Sequence, residues 1–122
     1  MLIGRPCDDG FTVVDGFSRI VRLGEALAAT GALQEAAMVR TIEALKFCAE
    51  KIKSRGVRHI RAVATAACRH ADNGDTFVER VLAETGLKLT TISADDEAQL
   101  TLSGCAPLLD TGHPRGLLFD IG

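Results

Sequence analysis

The sequence contains no tryptophan and no tyrosine, and phenylalanine occurs only five times, so a row of aromatic platforms for stacking nucleobases has little to be built from. Positive charge is not in excess either: the formal net charge is -2, which removes the general electrostatic attraction that drives nucleic-acid binding. No apolar run approaches the roughly 18 residues that span a bilayer, and the composition gives no membrane association. Cys7, Cys48, Cys68 and Cys105 form no C-x-x-C pair, and His59, His70 and His113 lack metal-ligand spacing with them. A zinc site is therefore not expected. The amino terminus lacks the charged region, apolar stretch and cleavage site of a secretory signal, so reduced thiols in the cytoplasm are the expectation.

What remains is an ordinary globular composition, 47% hydrophobic and 25% charged over 122 residues, enough for one core. Met1 to Pro6 and Phe11 to Leu23 read as extended segments joined by Asp8-Asp9-Gly10, a hairpin signal. Leu33 to Arg55 reads as a helix, because Met38, Ile42, Leu45, Ala49 and Ile52 recur at spacings of three and four, and Gly56 supplies its stop. Val57 to Thr65 follows as a strand anchored by Ile60 and Val63. A helix from about Asp75 to Thr85, with Phe77, Val81 and Leu82 on one side, leads to a strand from Leu87 to Ser93. Ala94 opens a third helix reaching about Ser103, Pro107 closes it, and Leu117 to Phe119 reads as a short strand.

This order implies an α/β fold: a mixed sheet with an amino-terminal hairpin and crossover helices. In such sheets ligands gather beyond the carboxyl ends of strands, where Thr65 to Arg69, Ser93 to Glu97 and Asp120 to Gly122 all fall. The three junctions are expected to share one crevice.

Each candidate residue has two readings. Arg69 offers a fixed fork of donors suited to phosphate oxygens, with Thr65 orienting the turn that presents it, or it is one partner of a surface ion pair. Glu97 is a general base for water attack on phosphorus, or one of three carboxylates (Asp95, Asp96, Glu97) that complement a helix amino terminus. Asp120-Ile121-Gly122 starts a phosphate loop, with Asp120 holding a divalent cation, or is too short to specify one. Cys68 is a nucleophile only if a base adjoins it; otherwise it is a small buried hydrophobe.

Three segments in order carry a resemblance. Ala62-Val63-Ala64-Thr65-Ala66-Ala67-Cys68-Arg69 resembles the A-V-A-T-x-A-x-R signature of the exopolyphosphatase and guanosine-pentaphosphatase family. Ile92-Ser93-Ala94-Asp95-Asp96-Glu97-Ala98 is similar to its I-S-G-x-E-E-A, and Leu118-Phe119-Asp120-Ile121-Gly122 to the opening of its V-x-D-I-G-G-G-S phosphate loop. Val21-Arg22-Leu23-Gly24-Glu25 resembles the exit of its third strand.

The resemblance implies an incomplete actin-like ATPase (ribonuclease H-like) domain. Residues 1–116 would be the first domain without its first strand, and residues 117–122 the truncated first strand of the second. It implies Glu97 as the base, Arg69, Thr65 and Gly122 as phosphate ligands, and Asp120 as a Mg2+-associated carboxylate. The substrate would be polyphosphate or guanosine pentaphosphate, and a homodimer is the expected assembly. The fragment alone is expected to be inactive, with the tail from Leu117 to Gly122 filling the place of the missing strand in its own chain or in a partner. Ala94 and Asp96 depart from the family's glycine and glutamate; a positive φ at position 94 would disfavour alanine. Other classes stay open: a non-enzymatic guanosine-polyphosphate sensor, an association module acting through an exposed sheet edge, and an actin-like kinase or ATPase.

Overall fold

A computed structural model describes residues 1–8, 10–108, 112 and 115–119. The chain opens with an antiparallel hairpin of β1 (Leu2–Cys7) and β2 (Gly10–Gly16), in which Cys7 faces Gly10 across the turn. Gly10 sits at φ 127°, a conformation that favours glycine. The register slips between Ile3 and Gly4, and the ring of Phe11 covers Gly4 so closely that an added Cβ would lie 2.8 Å from it. A bulge of this kind bends the ribbon.

The second extended segment does not continue to Leu23. β2 ends at Gly16, and both Arg22 (φ 49°) and Ala26 (φ 60°) adopt left-handed backbone. Such conformations cannot be part of a strand. The loop is held instead by Arg40, which donates to the carbonyl of Val21 at 3.1 Å and to the carboxylate of Glu25 at 2.7 Å. A short helix α1 (Leu27–Thr30), with no buried residue, follows.

The long helix α2 (Glu35–Ser54) is where the periodicity puts it, and Gly56 at φ 62° follows its end. Its inward stripe is Ala37, Thr41, Ile42, Ala44 and Cys48, while Met38, Leu45, Ala49 and Ile52 flank the core. Small residues set the centre of the contact because they let the neighbouring elements approach closely. Asp15, at the end of the hairpin, accepts from Lys51 (2.8 Å) and Arg55 (3.0 Å), which ties β2 to the last turn of α2. Phe17 packs on Phe47 with ring centroids 4.7 Å apart.

Two parallel strands, β3 (Ala62–Ala64) and β4 (Leu89–Thr91), make a second sheet with Ala62 opposite Leu89. Between them run α3 (Ala66–His70) and α4 (Gly74–Thr85). Phe77 and Val81, one turn apart on α4, are fully buried in a core with Leu33, Ile42, Cys48, Cys68 and Leu87. Each contributes about 1.5–3 kcal/mol by leaving water. Leu82 is not on that side: it is the next residue after Val81, turned about 100° away on the helix, and it is exposed. Ile60 and Val63 likewise fail as anchors, because β3 is short and its inward side carries Ala62 and Ala64, leaving Ile60 and Val63 exposed.

Helix α5 (Ala94–Cys105) ends in a 3-10 turn over Ala106–Leu108. Leu117 to Phe119 do not form the expected strand; residues 115–119 carry no regular structure, so the described part of the tail does not fill a strand position in its own chain. Asp120, Ile121 and Gly122 lie outside the described residues. Among the described residues the strands form two separate two-stranded sheets, and no helix is long and apolar enough to cross a membrane.

Candidate functional site

The carboxyl ends of β3 and β4 lie side by side, and the ladder extends one step beyond them through Ile92 N–H, which donates to Ala64 C=O at 3.0 Å. Each chain then turns into a helix at the same edge. After β3, Thr65 C=O accepts from the amides of Cys68 (3.1 Å) and Arg69 (3.0 Å), closing the single turn of α3 that carries Arg69 over the sheet end. After β4, Ser93 caps α5. Its Oγ accepts from Asp96 N–H at 3.0 Å and donates to the Asp96 carboxylate at 2.7 Å, so the cap and the first-turn acid hold each other.

These two turns bring Arg69 and Glu97 together. Arg69 Nη1 donates to the carbonyl of Ile92 at 2.7 Å, and its Nη1 and Nη2 lie 3.5 and 3.4 Å from Glu97 Oε2. The first bond is short and firm. The second contact is longer than the roughly 2.7–2.9 Å of a tight charge-assisted bond, so carboxylate and guanidinium face each other without closing on each other. Both side chains are partly exposed, and no described residue pairs with Glu97 Oε1. An anion entering from solvent meets donors already oriented, beside a carboxylate oxygen that no described residue engages.

Thr65 contributes its backbone carbonyl; its side chain makes no capping bond, so the structure gives its hydroxyl no fixed task. Asp96 is engaged by the cap. Ala94 has no positive φ, so the alanine there fits the first turn of α5 without strain. Cys68 is buried in the core, and burial pushes its thiol pKa upward, which leaves it a packing residue. Asp120 and Gly122, expected at the same crevice, lie outside the described residues. No group of three or more His, Cys, Asp or Glu among the described residues is arranged to hold a metal ion.

Two contributors escaped the sequence reading. The carbonyl of Ile92 fixes Arg69, yet a backbone oxygen leaves no residue-type signal; only the adjacency of the two strand ends reveals it. The loop around Gly24 also reaches the site's flank: a Cβ on Gly24 would lie 3.6 Å from that of Ala67 in α3. The paired left-handed positions that shape this loop, Arg22 and Ala26, are not glycines and so give no warning in sequence.

The model of the Ppx/GppA phosphatase family matches residues 2–122. A guanosine-5'-triphosphate,3'-diphosphate pyrophosphatase of Vibrio vulnificus is 34% identical over the whole chain, which covers 24% of that protein. Among solved structures, the Aquifex aeolicus Ppx/GppA family member superposes with a TM-score of 0.80 at 33% identity, over 86% of this chain and 34% of that one. An exopolyphosphatase from Cytophaga hutchinsonii gives a TM-score of 0.81 at 25% identity, over 87% and 34%. The chain thus spans about a quarter of the curated relative and about a third of the solved ones.

Proposed function

The chain belongs to the Ppx/GppA phosphatase family, and from that premise we propose that it contributes the general base and one phosphate ligand of a phosphohydrolase. Its fold is that of an incomplete actin-like α/β domain. The observation that carries the reading is the meeting of Arg69 and Glu97 from different strand-to-helix turns, at 3.4 Å and open to solvent.

In this reading Glu97 takes a proton from a water molecule as the water oxygen attacks a terminal phosphorus. The new P–O bond forms as the bridging anhydride P–O bond breaks, and the electron pair leaves with the shortened phosphate chain. Arg69, held by Ile92, offers its remaining N–H groups to the nonbridging oxygens, where negative charge must be stabilised. Such a reaction asks the protein mainly for positioning and charge neutralisation. Thr65, at the turn that opens α3, and Gly122 are proposed as further phosphate contacts. Asp120 would hold a Mg2+ ion, which would supply charge neutralisation at the phosphate oxygens.

The substrate class is a linear phosphoanhydride. Guanosine pentaphosphate is supported by the name of the Vibrio relative, and inorganic polyphosphate by that of the Cytophaga structure. We place the protein in the cytoplasm as a homodimer, with residues 1–116 as the first domain and 117–122 opening a second.

The deciding experiment measures phosphate release from polyphosphate and from guanosine pentaphosphate by a full-length enzyme carrying this sequence, with and without Glu97→Gln. Loss of a positioned general base lowers kcat by about 100-fold or more with KM little changed. Equal rates for the two proteins would remove Glu97 from the role. The 122-residue chain alone is expected to release no phosphate.

A further inference from the structure

The turn after β4 supports both sides of the candidate site from adjacent backbone groups. The carbonyl of Ile92 accepts from Arg69 at 2.7 Å, and the carbonyl of Ser93 accepts from the N–H of Glu97 at 3.0 Å. Ser93 also acts through its side chain. Its Oγ accepts from Asp96 N–H at 3.0 Å, which is what capping the helix requires. The single proton of the hydroxyl goes to the Asp96 carboxylate at 2.7 Å. That second bond satisfies no backbone group left open at the helix end, so its effect falls on the carboxylate.

Asp96 is a charge in need of restraint. It is exposed, it immediately precedes Glu97, and among the described residues no Lys or Arg lies within ion-pair distance of it. The first turn of α5 carries Asp95, Asp96 and Glu97, and the cation facing that turn is Arg69, 3.4 Å from Glu97. A neighbouring carboxylate free to swing competes with Glu97, and with an incoming anion, for the same guanidinium. The short side chain of an aspartate at this position reaches back to the cap, three residues earlier, and is held there.

We propose that Ser93 is a positioning residue of this site. By holding the Asp96 carboxylate at the cap, it leaves Arg69 facing one carboxylate, Glu97, with the remaining guanidinium donors directed to a phosphate oxygen. The consequence for turnover rests on the hydrolase reading above; the restraint on Asp96 does not.

In the 122-residue chain, Ser93→Ala should shift the side-chain Nε–H resonance of Arg69, and adding Asp96→Asn should return it towards the parent position. In a full-length enzyme carrying this sequence, Ser93→Ala should raise KM for polyphosphate by about 5-fold, the weight of a half-exposed ion pair that the anion must displace. Glu97→Gln, by contrast, acts on kcat. Asp96→Asn placed on Ser93→Ala should bring KM back, because an amide carries no charge, and Ser93→Thr should stay near the parent because its hydroxyl can make both bonds. A serine that served only as a cap would show no relief from Asp96→Asn. If circular dichroism shows that Ser93→Ala does not fold, Ser93→Gly takes its place, since glycine caps nearly as well and lacks the hydroxyl. An Arg69 resonance or a KM unmoved by loss of the hydroxyl overturns the proposal, as does a loss that Asp96→Asn leaves unrelieved. A Glu97→Gln enzyme as fast as the parent sinks the general base instead, and the Arg69 resonance then decides the role of Ser93 alone.

Discussion

Arg69 is anchored to Ile92 more firmly than to Glu97: its Nη1 lies 2.7 Å from the Ile92 carbonyl and 3.5 Å from the Glu97 carboxylate. The end of one parallel strand thus sets the position of a cation presented from the turn after its neighbour. Glu97 is approached but not consumed.

A lysine at position 69 cannot reproduce this arrangement, because an ammonium lacks the planar fork that reaches a carbonyl, a carboxylate and an incoming anion together. Arg69→Lys in a full-length enzyme should lower kcat/KM for phosphate release by about 100-fold, similar to the loss of a preorganised donor. Steady-state kinetics on both substrates checks this, and a rate close to the parent's would mean that charge alone suffices.

Gly74, the first residue of α4, is buried, and a Cβ there would lie 2.0 Å from the backbone oxygen of Cys68. Gly74→Ala must push α3 and α4 apart, at a cost of about 1–3 kcal/mol or more. Gly104 in α5 meets nothing within 4 Å and lacks a positive φ, so Gly104→Ala should instead stabilise by about 0.4–1 kcal/mol. Urea unfolding of the two variants should move the midpoints in opposite directions.

Asn73 acts as a bracket between the loop before α2 and the start of α4. Its Oδ1 accepts from Leu33 N–H at 2.8 Å, and its Nδ2 donates to Leu33 C=O at 3.0 Å, at a residue only 3% exposed. Asn73→Ala strands both backbone groups and should cost about 2 kcal/mol or more in chemical denaturation. Asn73→Asp keeps the acceptor but faces a carboxylate to a carbonyl, so it should not restore the parent midpoint.

Lys51 and Arg55, by hydrogen bonding, lower the pKa of Asp15 from 3.8 to about 2. A depressed folded-state value means that the carboxylate contributes stability fully above its unfolded pKa, and that this contribution fades as pH falls from about 4 towards 2. Asp15→Asn removes that component. The variant's unfolding midpoint should therefore depend less on pH across this window than the parent's; parallel curves would detach the ion pair from acid stability.

Burial pushes the thiols of Cys48 and Cys68 up, whereas Cys7 is exposed. With a thiol reagent near neutral pH, Cys7 should react promptly, and Cys48 and Cys68 only after denaturation. Rapid native labelling of Cys68 would contradict its place in the core.

Much of this was legible in the chain. The long helix announced itself through Ile42, Leu45 and Ile52, and the hairpin through Asp8-Asp9-Gly10, because both signals are local and repeat with the period of the backbone. The loop from Phe17 to Ala26 was not legible: its left-handed positions, Arg22 and Ala26, are not glycines, and Arg40, which holds their neighbours Val21 and Glu25, lies 14 residues beyond Ala26. Leu82, Ile60 and Val63 were misread for a related reason. Apolar character states what a residue would bury, but which side faces the core depends on elements distant in sequence.

By itself, the amino-acid order determined which residue types are available, the approximate positions of the hairpin and of α2, α4 and α5, and the family to which the motifs point. Tertiary structure alone decided that Arg69 is moored to Ile92 and that Glu97 faces it from the neighbouring strand-to-helix turn. The reason is physical: hydrogen-bond periodicity and turn chemistry act between near neighbours, whereas a site is created only when segments 20 or more residues apart are packed against one another, as Arg69 and Glu97 are at a separation of 28.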